Sequence, residues 1–137
     1  MIDVRFRDLV TAEFARRRQL NPRYSLRGFA RRLGVHHATV SRLLTRDTAL
    51  HAATISTIGP RLGLSSIEIQ SLIAREDVEL VIGAVERRAF RPRSRWLATV
   101  WGLSIDRVNV ALQTLLRTGR LKMLSATEWS VIRQGEN

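Results

Sequence analysis

Apolar residues recur at helical spacing through most of this chain, and strict alternation replaces that spacing only near the end. Val4, Phe6, Leu9, Val10 and Phe14 fall on one side of a helix predicted over Asp3 to Gln19. Arg16, Arg17 and Arg18 stand at its carbonyl end, where positive charge is favoured, and Asn21-Pro22 stops it. Ser25 to Leu44, SLRGFARRLGVHHATVSRLL, then predicts two short helices joined by a tight turn. Ser25 caps the first of these, and Leu26, Phe29, Ala30 and Leu33 form its apolar face. Gly34 ends it in the left-handed conformation, which glycine adopts at little cost. Val35 anchors the turn, while Val40, Leu43 and Leu44 make the inward stripe of the second helix. Ala30 is small enough to let the two helices cross closely.

Thr45 to Leu50 is expected to be a loop leading into a fourth helix, about His51 to Leu62, which Gly63 closes. Ser65-Ser66-Ile67-Glu68 is a capping box, and it starts a fifth helix towards Ala74. The charged run Arg75-Glu76-Asp77 marks a boundary between domains 1–75 and 76–137. Beyond it, Glu76 to Ala89 predicts a helix with Val78, Val81, Ile82 and Val85 on one side.

After the turn Arg91-Pro92-Arg93 an earlier spacing returns. Ala98-x3-Gly102-Leu103-x4-Val108-x2-Ala111 repeats Ala30-x3-Gly34-Val35-x4-Val40-x2-Leu43. Ser94 or Arg95 opens this first helix, with Trp96, Leu97 and Val100 as candidates for its buried side. Ser104 caps a longer helix to about Thr118, and Gly119 stops it. Arg120 to Leu124 and Glu128 to Ile132 alternate with the period of two expected of strands, joined by Ser125-Ala126-Thr127. The expected fold is therefore mainly α: a helix-turn-helix bundle, then a small winged-helix domain with a C-terminal β-hairpin.

The motif from Ala30 to Leu43 resembles the DNA-reading unit of lambda-repressor-like regulators, and that likeness extends over residues 1 to about 75. The segments RPRSRWLATVWGLS and LLRTGRLKML are similar to the winged-helix domain that follows a repressor-like domain in one family of bacterial transcriptional regulators. The resemblance implies a sequence-specific regulator of transcription that binds double-stranded DNA in the cytoplasm, at the nucleoid. An ordinary αα-hairpin uses the same small residue, glycine and aliphatics, so the charge around the motif matters.

That charge is strongly positive. Lys and Arg number 23 against 12 acids, a net charge of +11 that points to a polyanionic partner. Residues 1–73 carry net +7 and the remainder net +4, so the first domain is the better equipped. On its second motif helix, His36, His37, Thr39, Ser41 and Arg42 are candidates for base edges in a major groove. Arg42 leads them, since a guanidinium bonds guanine O6 and N7 together. Arg16, Arg17, Arg18, Arg27, Arg31, Arg32 and Arg46 are candidates for phosphates, which position a protein without specifying sequence. Plainer roles stand beside these: Arg31 and Arg32 solvating a helix face, and His36 capping the reading helix.

In the second domain Arg91, Arg93, Arg95, Arg107 and Asn109 are secondary candidates for DNA contact. Asp106 faces outward and repels phosphate, Val110 offers no hydrogen bond, and the hairpin tip Ser125 to Glu128 has no Lys or Arg. An assembly or auxiliary role is favoured there. A homodimer is expected, since one helix-turn-helix seldom supplies enough contacts, and Trp96, Trp101 and Trp129 offer apolar surface for it. Trp101, beside Gly102, is the first candidate, with a plain core role as its alternative.

Other classes fare worse. Cysteine is absent, which removes disulfides, thiolate zinc sites and thiol redox chemistry. The apolar portion of Val78 to Val85 is short and broken by Glu79, so no span and no signal peptide is read; a soluble intracellular protein is expected. Scattered acids and the lack of a Ser/His/Asp set or phosphate loop argue against an enzyme. His36, His37 and His51 do not make a metal site, since adjacent histidines on a helix diverge, and no cofactor or small-molecule ligand is expected. The alternative function is a protein-interaction adaptor, antitoxin-like or a co-regulator, that keeps the same fold.

Overall fold

A computed structural model of the chain describes residues 4–46 and 49–133. It is mainly helical, with a small antiparallel hairpin at the C-terminal end. Its helices are α1 (Phe6–Leu20), α2 (Leu26–Leu33), α3 (His37–Thr45), α4 (Ala52–Ile58), α5 (Ser66–Val85), α6 (Ser94–Trp101) and α7 (Ile105–Arg117). A 3-10 turn, Gly59–Leu62, follows α4, and β1 (Leu121–Met123) pairs with β2 (Trp129–Val131). The chain divides into two compact units, Met1–Glu76 and Asp77–Asn137.

In the first unit each helix contributes one apolar face to a common core. Phe6 and Val10 meet Phe29, Ala30 and Leu33, Val40 and Leu43, Ile55 and Ile58, and Ile69, Leu72 and Ile73. Val4 departs from expectation: it precedes α1 and is exposed. Asp3, the expected first residue of that helix, lies outside the described residues, as do Asp47 and Thr48 in the expected loop. Gly59 permits a close approach, because a Cβ there would sit 2.8 Å from Cγ1 of Ile69.

Local chemistry accounts for the α2–α3 corner. The Ser25 hydroxyl accepts from the Gly28 N–H at 3.0 Å and starts α2. Gly34 ends it at φ +75°, and the Val35 N–H donates back to the Ala30 carbonyl at 3.1 Å. The spacing seen twice in the sequence is built twice in the backbone. Gly102 stands at φ +65°, and the Leu103 N–H donates to the Ala98 carbonyl at 2.9 Å. His36 caps α3 through Nδ1, and Ser104 caps α7 through its hydroxyl.

One sequence expectation is corrected here. Arg75-Glu76-Asp77 does not separate two helices, since α5 runs from Ser66 to Val85 without a break. No proline interrupts the helix, its one glycine, Gly83, lies near its end, and both acids are buried rather than solvated. Glu76 accepts from Arg5 Nε at 3.3 Å, from Arg5 Nη2 at 3.2 Å and from the Leu50 N–H at 3.1 Å. Asp77 takes the fork of Arg107, at 2.8 Å from Nε and 2.5 Å from Nη2. The helix also stops at Val85, short of the expected Ala89.

In the second unit α6 packs on α7, and α7 on β1. Leu97, Ala98, Leu103, Val108, Ala111, Leu112, Leu115 and Leu121 are buried. The hairpin pairs Leu121 with Val131 and Met123 with Trp129, and Arg120 reaches Glu79 at 3.0 Å. Phe90 gathers two of the tryptophans, its ring centroid 5.9 Å from Trp96 and 5.3 Å from Trp129. The Arg87 guanidinium lies 4.6 Å from the centroid of the Trp101 ring. All three tryptophans thus have a ring or guanidinium neighbour inside their own unit, and each is half-buried.

Candidate nucleic-acid interface

Helix α3 is short, and its faces are sharply divided. Val40 and Leu43 are buried, whereas Ala38, Arg42 and Thr45 are exposed and lie within one stripe at i, i+4 and i+7. His37 and Ser41 flank that stripe on one side, half-buried, and Thr39 and Arg46 flank it on the other. The outward face therefore presents two guanidinium groups, three hydroxyls and an imidazole around a methyl group. Ala38 and Thr45 were not singled out from the sequence, although their spacing from Arg42 places them on its face. The Thr45 hydroxyl donates to the Ser41 carbonyl at 2.7 Å.

His36 belongs to the start of the helix rather than its face. Its Nδ1 accepts from the Ala38 N–H at 3.2 Å, so the capping alternative describes this ring. The His37 ring lies against it, 4.3 Å between centroids. His37 titrates below the ordinary histidine value of 6.5: shielding from water is the first cause, and the charges of Arg27 and His36 follow. Arg27, at the start of α2, is thus near enough to act on the entrance of α3.

A prediction follows for the free protein. The proton resonance of His37 should titrate with a midpoint below 6.5, and Arg27→Ala should raise that midpoint only part-way, because shielding is the larger cause. A folded-state value below the unfolded one makes His37's contribution complete above about pH 6.5 and lost as pH falls through the folded midpoint. A midpoint in Arg27→Ala equal to the wild type would remove Arg27 from this neighbourhood.

The remaining arginines divide by what they already hold. Arg16 grips Glu13 with Nη2 at 2.7 Å and Nε at 3.0 Å. Arg17 reaches the same carboxylate at 2.8 Å and the Tyr24 hydroxyl at 3.3 Å. Arg16 first, then Arg17, holds the Glu13 carboxyl down at about 2, so these ties persist well below neutral pH. Arg17 also lies 5.9 Å from the centroids of both Tyr24 and Phe29, and Arg18 lies 5.6 Å from that of Phe14. The cluster at the end of α1 is therefore partly structural, Arg17 most of all. Arg27, Arg31, Arg32, Arg42 and Arg46 are exposed and join no ion pair among the described residues.

The second unit changes two expectations. Arg107 is committed to Asp77, and Asn109 accepts from the Ser94 hydroxyl at 2.8 Å, so both secondary candidates have structural partners. Arg91 and Arg93, by contrast, line a concavity of about 500 Å³ together with Pro92 and the hairpin residues Ala126 and Thr127. The tip carries no basic residue of its own, yet the loop before α6 supplies two beside it. Arg95 is exposed in the first turn of α6.

Neither a protein-family model, nor a curated protein, nor a solved structure matches this chain. The assignment of function therefore rests on the site itself. Among the described residues, no group of three His, Cys, Asp or Glu side chains is placed to hold a metal ion, and no helix is long and apolar enough to cross a membrane.

Proposed function

We propose that the chain is a sequence-specific double-stranded DNA-binding regulator, a binding protein rather than a catalyst. In this reading α2, the Gly34 turn and α3 form a helix-turn-helix, with α3 entering the major groove. Arg42 reads a guanine, and His37, Thr39 and Ser41 add hydrogen bonds to neighbouring base edges. Ala38 offers its methyl group to a thymine. Arg27, Arg31, Arg32 and Arg46 hold phosphates, with Arg16 and Arg18 as outer contacts.

One observation carries this reading. Between Glu13 and Asp47 the chain has nine arginines and no acid, and this run contains all of α2 and α3. An α3 that only stabilised a helical corner would have no need of a wholly acid-free neighbourhood. The second unit is read as a winged helix, with Arg91, Arg93 and Arg95 as an auxiliary backbone contact. A homodimer on two half-sites in the cytoplasm completes the proposal.

Titrating a labelled random duplex at several salt concentrations tests it. Non-specific affinity is expected at roughly 10⁻⁴ to 10⁻⁶ M near physiological salt, falling steeply and linearly in a log–log plot as salt rises. Absence of duplex binding at about 50 mM salt, where phosphate contacts are strongest, would overturn the proposal and favour an adaptor that binds protein.

A further inference from the structure

A second concavity in the first unit is lined by Gly28, Arg31, Arg32 and Arg61, with a volume of about 430 Å³. Arg31 and Arg32 come from the last turn of α2, and Arg61 comes from the 3-10 turn that follows α4. Arg61 is held over the end of α2, where its Nη1 donates to the Arg32 carbonyl at 3.5 Å. The guanidinium lies beside Gly34, its Nη2 3.5 Å from where a Cβ would stand, an ordinary contact distance. Pro60, beside Arg61, restricts the backbone of the turn that carries it.

The lining contains three guanidinium groups and no carboxylate. None of the three joins an ion pair among the described residues. Three like charges around one hollow repel each other, and an anion between them turns that repulsion into attraction. A guanidinium fork suits the oxygens of a phosphate group, and Gly28 adds no side chain to obstruct the floor. No residue of α3 lines the hollow, so it stands apart from the base-reading stripe.

We propose that Arg31, Arg32 and Arg61 form a phosphate-binding site. The ligand is a phosphate ester, either of a nucleic-acid backbone or of a free phosphorylated molecule. Arg31 and Arg32 are phosphate contacts in the function proposed above, so the site deepens that reading by adding Arg61 and the hollow. The phosphate titration tests it apart from any sequence read by α3.

Inorganic phosphate at constant ionic strength, followed by amide and guanidinium NMR signals, is the direct probe. The signals of Gly28, Arg31, Arg32 and Arg61 should shift together and saturate. Arg61→Gln should weaken phosphate binding about fivefold or more, the loss of one charge-assisted contact, and Arg31→Gln should do the same without touching the 3-10 turn. Shifts that fail to saturate, or that are unchanged in both variants, would overturn the site.

Duplex titrations of the same variants identify the source. If the phosphate is that of DNA, Arg61→Gln weakens all duplexes alike and reduces the salt slope by about one. If it is a free ester, Arg61→Gln leaves duplex affinity unchanged while its phosphate response is lost. A wild-type protein that ignores duplexes yet saturates with phosphate would overturn the DNA-binding proposal and leave this site standing.

Discussion

Glu76→Ala should destabilise the protein by about 3 kcal/mol or more, the range for removing one partner of a buried ion pair. The reason lies in what the carboxylate holds. Its side chain is 1% exposed, and it binds both nitrogens of the Arg5 fork and the Leu50 N–H. Alanine would remove the acceptor shared by Nε and Nη2 of Arg5 and by the Leu50 N–H, and it would open a void where the buried carboxylate stood. Against a typical folding stability of roughly 5–15 kcal/mol, such a loss is large. Glu76→Gln keeps the shape and an acceptor for Leu50 but not the charge, so it should cost about half as much. Urea unfolding followed by far-UV circular dichroism measures both. Tryptophan emission followed alongside reports the second unit alone, since Trp96, Trp101 and Trp129 all lie there. An alanine variant within about 1 kcal/mol of the wild type would show that Glu76 is not the anchor its contacts describe.

Arg42→Ala should weaken binding to the preferred duplex by about 1–3 kcal/mol, and it should relax the preference at one base position. Arg42 is exposed, lies on the outward stripe of α3 between Ala38 and Thr45, and joins no ion pair among the described residues. Its removal therefore breaks no ion pair among the described residues, and urea unfolding of the variant separates the binding effect from stability. Arg42→Lys retains the charge but loses the paired donors, so it should keep non-specific affinity and still lose the base preference. Equal loss on all sequences would instead make Arg42 a phosphate contact and move the reading face elsewhere.

The α2–α3 corner was legible because its instructions are local. Ser25, Gly34 and the capping box at Ser65 and Glu68 each act within a few residues, and all three make the bonds their spacing predicts. The continuity of α5 was not legible. Glu76 and Asp77 read as a solvated boundary because their partners stand 71 and 30 residues away, at Arg5 and Arg107. Burial of a charge depends on whether a distant opposite charge arrives, and local composition does not record that.

The same limit applies to the candidate sites. Helical periodicity places Arg42 outward, but nothing near Arg61 in the sequence signals its meeting with Arg31 and Arg32, or that of Arg91 and Arg93 with the hairpin tip. Arg17 and Arg107 illustrate the converse. Both look available in a basic sequence, and both are taken up by an acid in the structure.

Selection of bound sites from a pool of random duplexes by the purified full chain tests the central claim most directly. The account predicts enrichment of a short motif containing a guanine whose selection disappears in Arg42→Ala. For a dimer, two such motifs should appear in inverted orientation, about one helical turn of DNA or a multiple of it apart. A pool that remains random, or an enriched motif that Arg42→Ala leaves unchanged, would contradict it.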